Sequence, residues 1–266
     1  MSTRIGCVPF VNAKPLIAQF ADPAIGVEVV LSPPSQLPAM LDRGEAAAVL
    51  ASSFDALRTP NRRVAAGVAI ASKGPVESVR VFSKVPFERA ETLALDASSL
   101  TSNALAHILL HELHGVCPIP TTHAPDLQGM LAQCDAAVLI GDKGMTASSD
   151  GLHVLDLGQG WLELTGLPFV WALWIGAQDL DPSLAAKLLE ARLWGEAHVA
   201  EVAREAAATP GWNEAMAHRY LSETMSFTFD AQGAEALVLF GQMMVAHGLI
   251  DTLHAPEVVA CTLPVA

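Results

Sequence analysis

Residues 96–102, Asp-Ala-Ser-Ser-Leu-Thr-Ser, gather four hydroxyls and one carboxylate into seven positions. Before them runs Leu93-Ala94-Leu95, an apolar stretch of the kind that forms a buried strand. After them Leu105, Ile108, Leu109 and Leu113 recur at the spacing of one helical face. A strand stops, a hydroxyl-rich turn follows, and a helix begins. A helix start leaves four backbone N–H groups unpaired and carries about half a positive charge. With Ser98, Ser99, Thr101 and Ser102 adding donors there, the corner suits a small anion such as a carboxylate. Ser99 or Thr101 also reads as the N-cap of the helix. The two roles are compatible: one hydroxyl caps while Ser102 and the free N–H groups take a carboxylate.

Other polar groups stand where strands stop. Ser52-Ser53 follows the apolar run Ala46–Ala51, and Gly141-Asp142 follows Ala136–Ile140. Asp142 reads either as an acid or base or as a helix cap. Asn12, in Pro9–Leu16, reads as the cap of a helix running toward Phe20, or as a donor and acceptor for a ligand. Arg80 lies within a strand, where an arginine often pairs with a carboxylate of the protein or of a ligand. His107, His111 and His114 share one helical stripe that reads as a solvated face rather than a metal site. Trp161, Trp171 and Trp174 read as core. The sequence contains no GxSxG, HExxH, phosphate-binding or EF-hand motif, and Gly158-x-Gly160 lacks the third glycine of a dinucleotide loop. No metal and no cofactor are therefore expected. A donor-rich cleft without a strong nucleophile fits binding alone, or an elimination that needs orientation and proton transfer.

The elements that must hold these groups alternate. Strands are expected at Arg4–Val8, Val27–Leu31, Ala46–Ala51, Val64–Ala71, Val79–Ser83, Leu93–Leu95, Cys117–Thr121, Ala136–Ile140, Leu152–Leu157 and Phe169–Ile175. Helices are expected between many of them, and a helical tail at Pro182–Ala208, Asn213–Met225 and Ala231–His247. Alternation of this kind gives parallel sheets covered by helices, with ligands at the carboxyl ends of the strands. The strands are too many for one sheet. We expect an α/β chain with one lobe from 1–84 and 177–266 and a second from 85–176. Crossovers near Lys84–Pro86 and Ile175–Gln178 would form a two-strand hinge beneath a ligand cleft. Asn12, Ser52, Ser53, Ser99, Thr101, Ser102, Gly141 and Asp142 would face that cleft.

The bulk numbers narrow the partners. With 15 basic and 28 acidic residues the net charge is −13, which argues against nucleic acid and anionic membranes. No apolar run is long enough to span a bilayer. The start goes directly into a strand without an export segment, so the expectation is a cytoplasmic protein. Cys7, Cys117, Cys134 and Cys261 are widely spaced and expected to be reduced and mostly buried. The helical tail is a candidate homodimer surface.

Five motifs occur in order: PFVNAKPL at Pro9–Leu16, AVLASS at Ala48–Ser53, LDASSLTSNAL at Leu95–Leu105, AVLIGDKGM at Ala137–Met145 and TGLPFVWALW at Thr165–Trp174. Together they resemble the menaquinone-biosynthesis family of the futalosine pathway, most closely its chorismate dehydratase branch, over roughly residues 4–178. The DxSSxTS and TGLPFVWA motifs are the specific ones. The resemblance implies a two-lobed type II periplasmic-binding-protein fold and a lyase that converts chorismate to 3-[(1-carboxyvinyl)oxy]benzoate. It implies a small dicarboxylate substrate, Asn12 as the catalytic residue, and Ser52, Ser53, Ser99, Thr101 and Ser102 as carboxylate ligands. Gly141, Asp142 and Thr165 would line the cleft. Phe10-Val11, Lys14 and Leu100 depart from the usual pattern, and the Leu100 change touches a side-chain contact at residue 100 rather than the backbone site there. The alternatives are 1,4-dihydroxy-6-naphthoate synthase, which shares the fold, and a non-catalytic solute-binding protein.

Overall fold

A computed structural model describes residues 2–260. Two sheets divide the chain. The first holds β1 (Thr3–Cys7), β2 (Val27–Leu31), β3 (Ala48–Ser52) and β4 (Arg63–Ser72). The second holds β5 (Arg80–Ser83), β6 (Thr92–Asp96), β7 (Ile119–His123), β8 (Ala136–Leu139) and β9 (His153–Asp156). The chain then returns to the first sheet with β10 (Phe169–Gly176), β11 (Met225–Ser226) and β12 (Glu257–Val259). The helices are α1 (Leu37–Asp42), α2 (Ser53–Arg58), α3 (Thr101–His114), α4 (Leu127–Gln133), α5 (Gly141–Thr146) and α6 (Leu157–Thr165). The tail adds α7 (Pro182–Ala197), α8 (Val199–Ala206), α9 (Glu214–Arg219) and α10 (Ala231–Ala246).

The strand orders are β11-β4-β10-β3-β1-β2, with β12 also on β4, and β7-β6-β8-β5-β9. One plan underlies both. The second, first and third strands of a lobe lie side by side and parallel. A strand arriving from the other lobe then runs antiparallel between the third and the fourth: β10 between β3 and β4, β5 between β8 and β9. The sequence carries no repeat that would betray this.

That plan corrects the expected boundaries. β5 pairs with β8 and β9, so it belongs to the second lobe although it precedes residue 84. β10 pairs with β3 and β4, so it belongs to the first lobe although it precedes residue 177. The crossovers are residues 73–79 and 166–168, not 84–86 and 175–178. An apolar crossover strand is completed by the sheet it enters, because an unpaired buried strand would leave its amides and carbonyls without partners. The sheets are consequently mixed rather than parallel.

Three local expectations also change. Asn12 caps nothing: the N-cap is Phe10, and Asn12 lies inside a 3-10 helix, Val11–Leu16, which ends at Ile17. α2, directly after Ser52, has no counterpart in the expected elements. The long tail helix breaks at His198, whose backbone leaves helical geometry while its ring stacks on Trp194 at 4.1 Å. No proline marks that break, though Gly195 lies in the turn before it. The core runs under both lobes and includes Trp161, Trp174, Phe169 and Phe240, all nearly inaccessible. Among the described cysteines Cys7 and Cys134 are buried and Cys117 is exposed, all as free thiols; Cys261 lies outside the described residues. No helix among the described residues is long and apolar enough to cross a membrane.

Candidate functional site

A cavity of about 470 Å³ lies between the lobes, within the size range of small-molecule sites. Its walls come from strand ends: Val8, Phe10 and Asn12 after β1, Ser52 at the end of β3, Ala97–Ser102 after β6, and Ile140 and Gly141 after β8. Six of the expected residues thus meet in one place: Asn12, Ser52, Ser99, Thr101, Ser102 and Gly141.

Each hydroxyl has a local task. Ser52 caps α2, accepting from Asp55 N at 3.3 Å, and Ser99 accepts from Ser102 N at 3.1 Å at the start of α3. Thr101 Oγ1 accepts from Phe54 N at 3.1 Å, so the first turn of α3 in one lobe satisfies the first turn of α2 in the other. In all three the oxygen accepts, which leaves the hydroxyl proton available to donate into the cavity. Capping and anion binding therefore coexist. Upstream, Asp96 is buried and accepts from Ser98 N at 2.8 Å, and Asn103 donates to Asp96 O at 2.9 Å. These bonds fix the turn that aims Ser99 and Ser102.

Asn12 is the most informative member. Its side-chain amide hydrogen-bonds the Tyr220 phenol oxygen, which lies 2.7 Å from Ser78 Oγ in the crossover. Burial pushes the Tyr220 phenol far above its ordinary range, so it stays neutral. The other end of the amide, Asn12 Oδ1, is buried and has no hydrogen-bond partner among the described residues. A buried acceptor without a donor is costly, about 1–3 kcal/mol, and such groups call for an explanation.

Gly141 is fixed by two constraints. Its φ is +59°, and an added Cβ would stand 3.2 Å from the Phe10 ring across the cleft.

Three expected residues do not reach the cavity. Ser53 is fully buried and donates to Val170 O, tying α2 to β10. Asp142 turns away to accept from Trp212 Nε1 at 3.0 Å and from the Val11 backbone. Burial is the main influence on its carboxyl and raises its pKa. It braces the segment that carries Asn12 and caps nothing. Thr165 donates to Trp161 O at 2.8 Å and accepts from Leu167 N at 3.1 Å, closing the end of α6. Each has a partner supplied by packing that no linear spacing reveals. Arg80 also stands apart. It donates to Gly144 O and Met145 O at the end of α5, and its pairing is with carbonyls rather than a carboxylate.

The cavity also holds residues outside the expected set. Asp42, Asp55, Arg58 and Arg62 line one wall. Asp55 is buried and joins Arg58 at 3.3 Å to Arg62 at 3.2 Å, while Arg62 reaches Asp42 at 2.8 Å. Arg62 is 6% exposed, and its Nε has no partner among the described residues. The available signal was Asp55-x-x-Arg58 followed by Arg62 just beyond the Ser52-Ser53 pair. Trp171 is buried as expected yet lines the cavity, its Nε1 donating to Ser72 Oγ at 3.0 Å.

This arrangement, with two lobes, two crossovers and a cleft at strand ends, defines the periplasmic-binding-protein-like class. The solved structures agree. A protein of Archaeoglobus fulgidus superposes with a TM-score of 0.73 at 20% identity, covering 94% of this chain and 98% of its own. The aliphatic sulphonate binding protein of Escherichia coli gives 0.67 at 15%, covering 100% and 94%. At the sequence level, a chorismate dehydratase of Thermus thermophilus is 30% identical over 216 residues, which are 74% of this chain and 79% of the relative. The menaquinone biosynthesis family model matches residues 3–246, and the chain belongs to that family.

Proposed function

We propose that the protein is a carbon–oxygen lyase that dehydrates chorismate to 3-[(1-carboxyvinyl)oxy]benzoate, in the futalosine route to menaquinone, inside the cytoplasm. Family membership and the Thermus thermophilus relative support the pathway and the substrate. The observation that carries the chemistry is that two residues lining the cavity, Asn12 and Arg62, each keep one buried polar atom without a hydrogen-bond partner among the described residues. Asn12 Oδ1 is an acceptor without a donor, and Arg62 Nε is a donor without an acceptor. A ligand that fills both presents a hydroxyl and a carboxylate. Chorismate carries one ring hydroxyl and two carboxylates.

In this proposal Asn12 Oδ1 accepts from the ring hydroxyl and fixes the C–O bond that breaks. Arg62 Nε takes one carboxylate, and the hydroxyls of Ser52, Ser99, Thr101 and Ser102 take the other. The enolpyruvyl carboxylate of the substrate removes the ring proton. That proton and the departing hydroxide leave as water, and the ring becomes aromatic. No strong base is then required from the protein, only orientation.

The test is incubation of pure protein with chorismate, following product mass. The expected result is loss of one water from chorismate. Binding without conversion favours a solute-binding protein, and no interaction with chorismate sinks the substrate assignment. Asn12→Ala is expected to lower kcat by about 10²–10³, the range for loss of one well-placed polar group, with thermal stability nearly unchanged. Full activity in that variant removes Asn12 from the mechanism.

A further inference from the structure

His107, His111 and His114 lie on one stripe of α3, expected to be solvated. Folding separates them. His114 pairs with Glu88 at 3.0 Å, and its ring lies 4.9 Å from that of Phe87. His111 instead meets a residue from far along the chain. The last turn of α10 delivers His247, and Glu112 stands between the two imidazoles. Glu112 Oε1 is 3.2 Å from His111 Nδ1 and 2.9 Å from His247 Nε2. One ligand atom from each of the three residues lies within 4.8 Å of the others.

We propose that His111, Glu112 and His247 form a zinc-type metal site that clamps α3 to α10. Two imidazoles and one carboxylate suit zinc or its first-row neighbours better than magnesium or calcium, which prefer all-oxygen shells. Ligand bonds of about 2.0–2.2 Å in a tetrahedron place the donor atoms roughly 3.3 Å apart. The two contacts to Glu112, at 3.2 and 2.9 Å, are close to that spacing, and the two imidazole nitrogens, within 4.8 Å of each other, need only a small approach to complete it. His247 is only 10% exposed, so its ring is held in place. Three protein ligands leave one position for water. The ring of His107 lies 5.9 Å from that of His247, edge to face.

The location gives the site a consequence. α3 belongs to the second lobe and begins at Thr101, on the cavity. α10 packs on β10 and α2 of the first lobe. A metal at His111 therefore ties the lobes about 15 Å along α3 from the Thr101 bond to Phe54. The helix that carries the cavity's hydroxyls is then anchored to the opposite lobe near both ends.

The experiment uses chelator-stripped full-length protein without an affinity tag, titrated with Zn²⁺ by calorimetry and with Co²⁺ by visible absorption. One Zn²⁺ per chain is expected, with a tetrahedral Co²⁺ spectrum and a melting temperature that rises with zinc. His247→Ala and Glu112→Gln are each expected to weaken binding at least tenfold, while His114→Ala leaves it unchanged. Uptake of no zinc by the wild type at 100 micromolar overturns the proposal. So does binding that survives undiminished in both ligand variants. In either case the cluster is an ion pair between helices and nothing more.

Discussion

The proposed dehydration rests on groups that folding leaves unfinished. Asn12 lines the cavity and keeps a buried acceptor without a partner among the described residues, and its other end is held by Tyr220. Tyr220→Phe keeps the ring and its packing on Trp212 at 5.1 Å but removes the oxygen that Asn12 and Ser78 share. The amide then turns more freely, and under the proposed mechanism the C–O bond is aligned in fewer encounters. We expect kcat to fall about tenfold, equivalent to ~1.4 kcal/mol in the barrier, with KM nearly constant. Steady-state kinetics on chorismate separate this from a purely structural role, which would move stability and leave kcat in place. The place of Asn12 in the cavity wall was open to sequence inspection because an asparagine at a strand end stands out. The role of Tyr220 was not, since it lies 208 positions further along the chain and only packing brings the two together.

At the scale of elements, the 3-10 helix bearing Asn12 is positioned by the tail. α7 crosses it at Gly195, where a Cβ would fall on the Pro15 carbonyl. Backbone cannot yield as a flexible side chain can, so Gly195→Ala must push the two segments apart. Overpacking of this kind costs about 1–3 kcal/mol, occasionally more. The expected outcome is a lower melting temperature together with reduced kcat, because the displaced segment carries Asn12. A calorimetric scan and the dehydration assay on the same sample check both effects. A variant as stable and active as the wild type would show that α7 does not set the position of Asn12. The sequence read most strands well, because continuous apolar runs such as Phe169–Gly176 leave little choice of burial. It missed the short helix α2. α2 has six residues and its start is held by Ser52 and by Thr101 from the other lobe, a tertiary bond with no local signature.

At the scale of the whole molecule, the lobes touch across the cleft. Thr101 Oγ1 and Phe54 N form the hydrogen bond between the helices that open on the cavity. Thr101→Val preserves shape and removes the acceptor. The Phe54 amide loses its partner, and we expect its hydrogen exchange to quicken, with a stability loss of about 1 kcal/mol. Unchanged protection of that amide would show that the bond does not hold the lobes. The crossover carries a second tie. Glu77 forms a bidentate pair with Arg219, whose hydrogen bond is the main cause of the lowered Glu77 pKa. A lowered carboxylate pKa contributes stability above the ordinary glutamate value, and that contribution is lost as pH falls through the folded value. The stability difference between wild type and Glu77→Gln is therefore expected to shrink as pH drops below about 4.5. Denaturant titrations at several pH values measure it, and a difference independent of pH would remove the pair from the account.

By itself the sequence determined the strands, the α/β class, the two lobes and the polar corners at strand ends. These follow from apolar runs, turn residues and hydroxyls within a few positions of one another, where local physics dominates. Only the tertiary structure decided which sheet each crossover strand completes. It alone turned Ser53, Asp142 and Thr165 away from the cavity, and it alone brought Arg62 into its wall and His247 against Glu112. Those outcomes depend on partners far apart in the chain, and a buried polar group goes where its hydrogen bonds are satisfied rather than where its neighbours in sequence point.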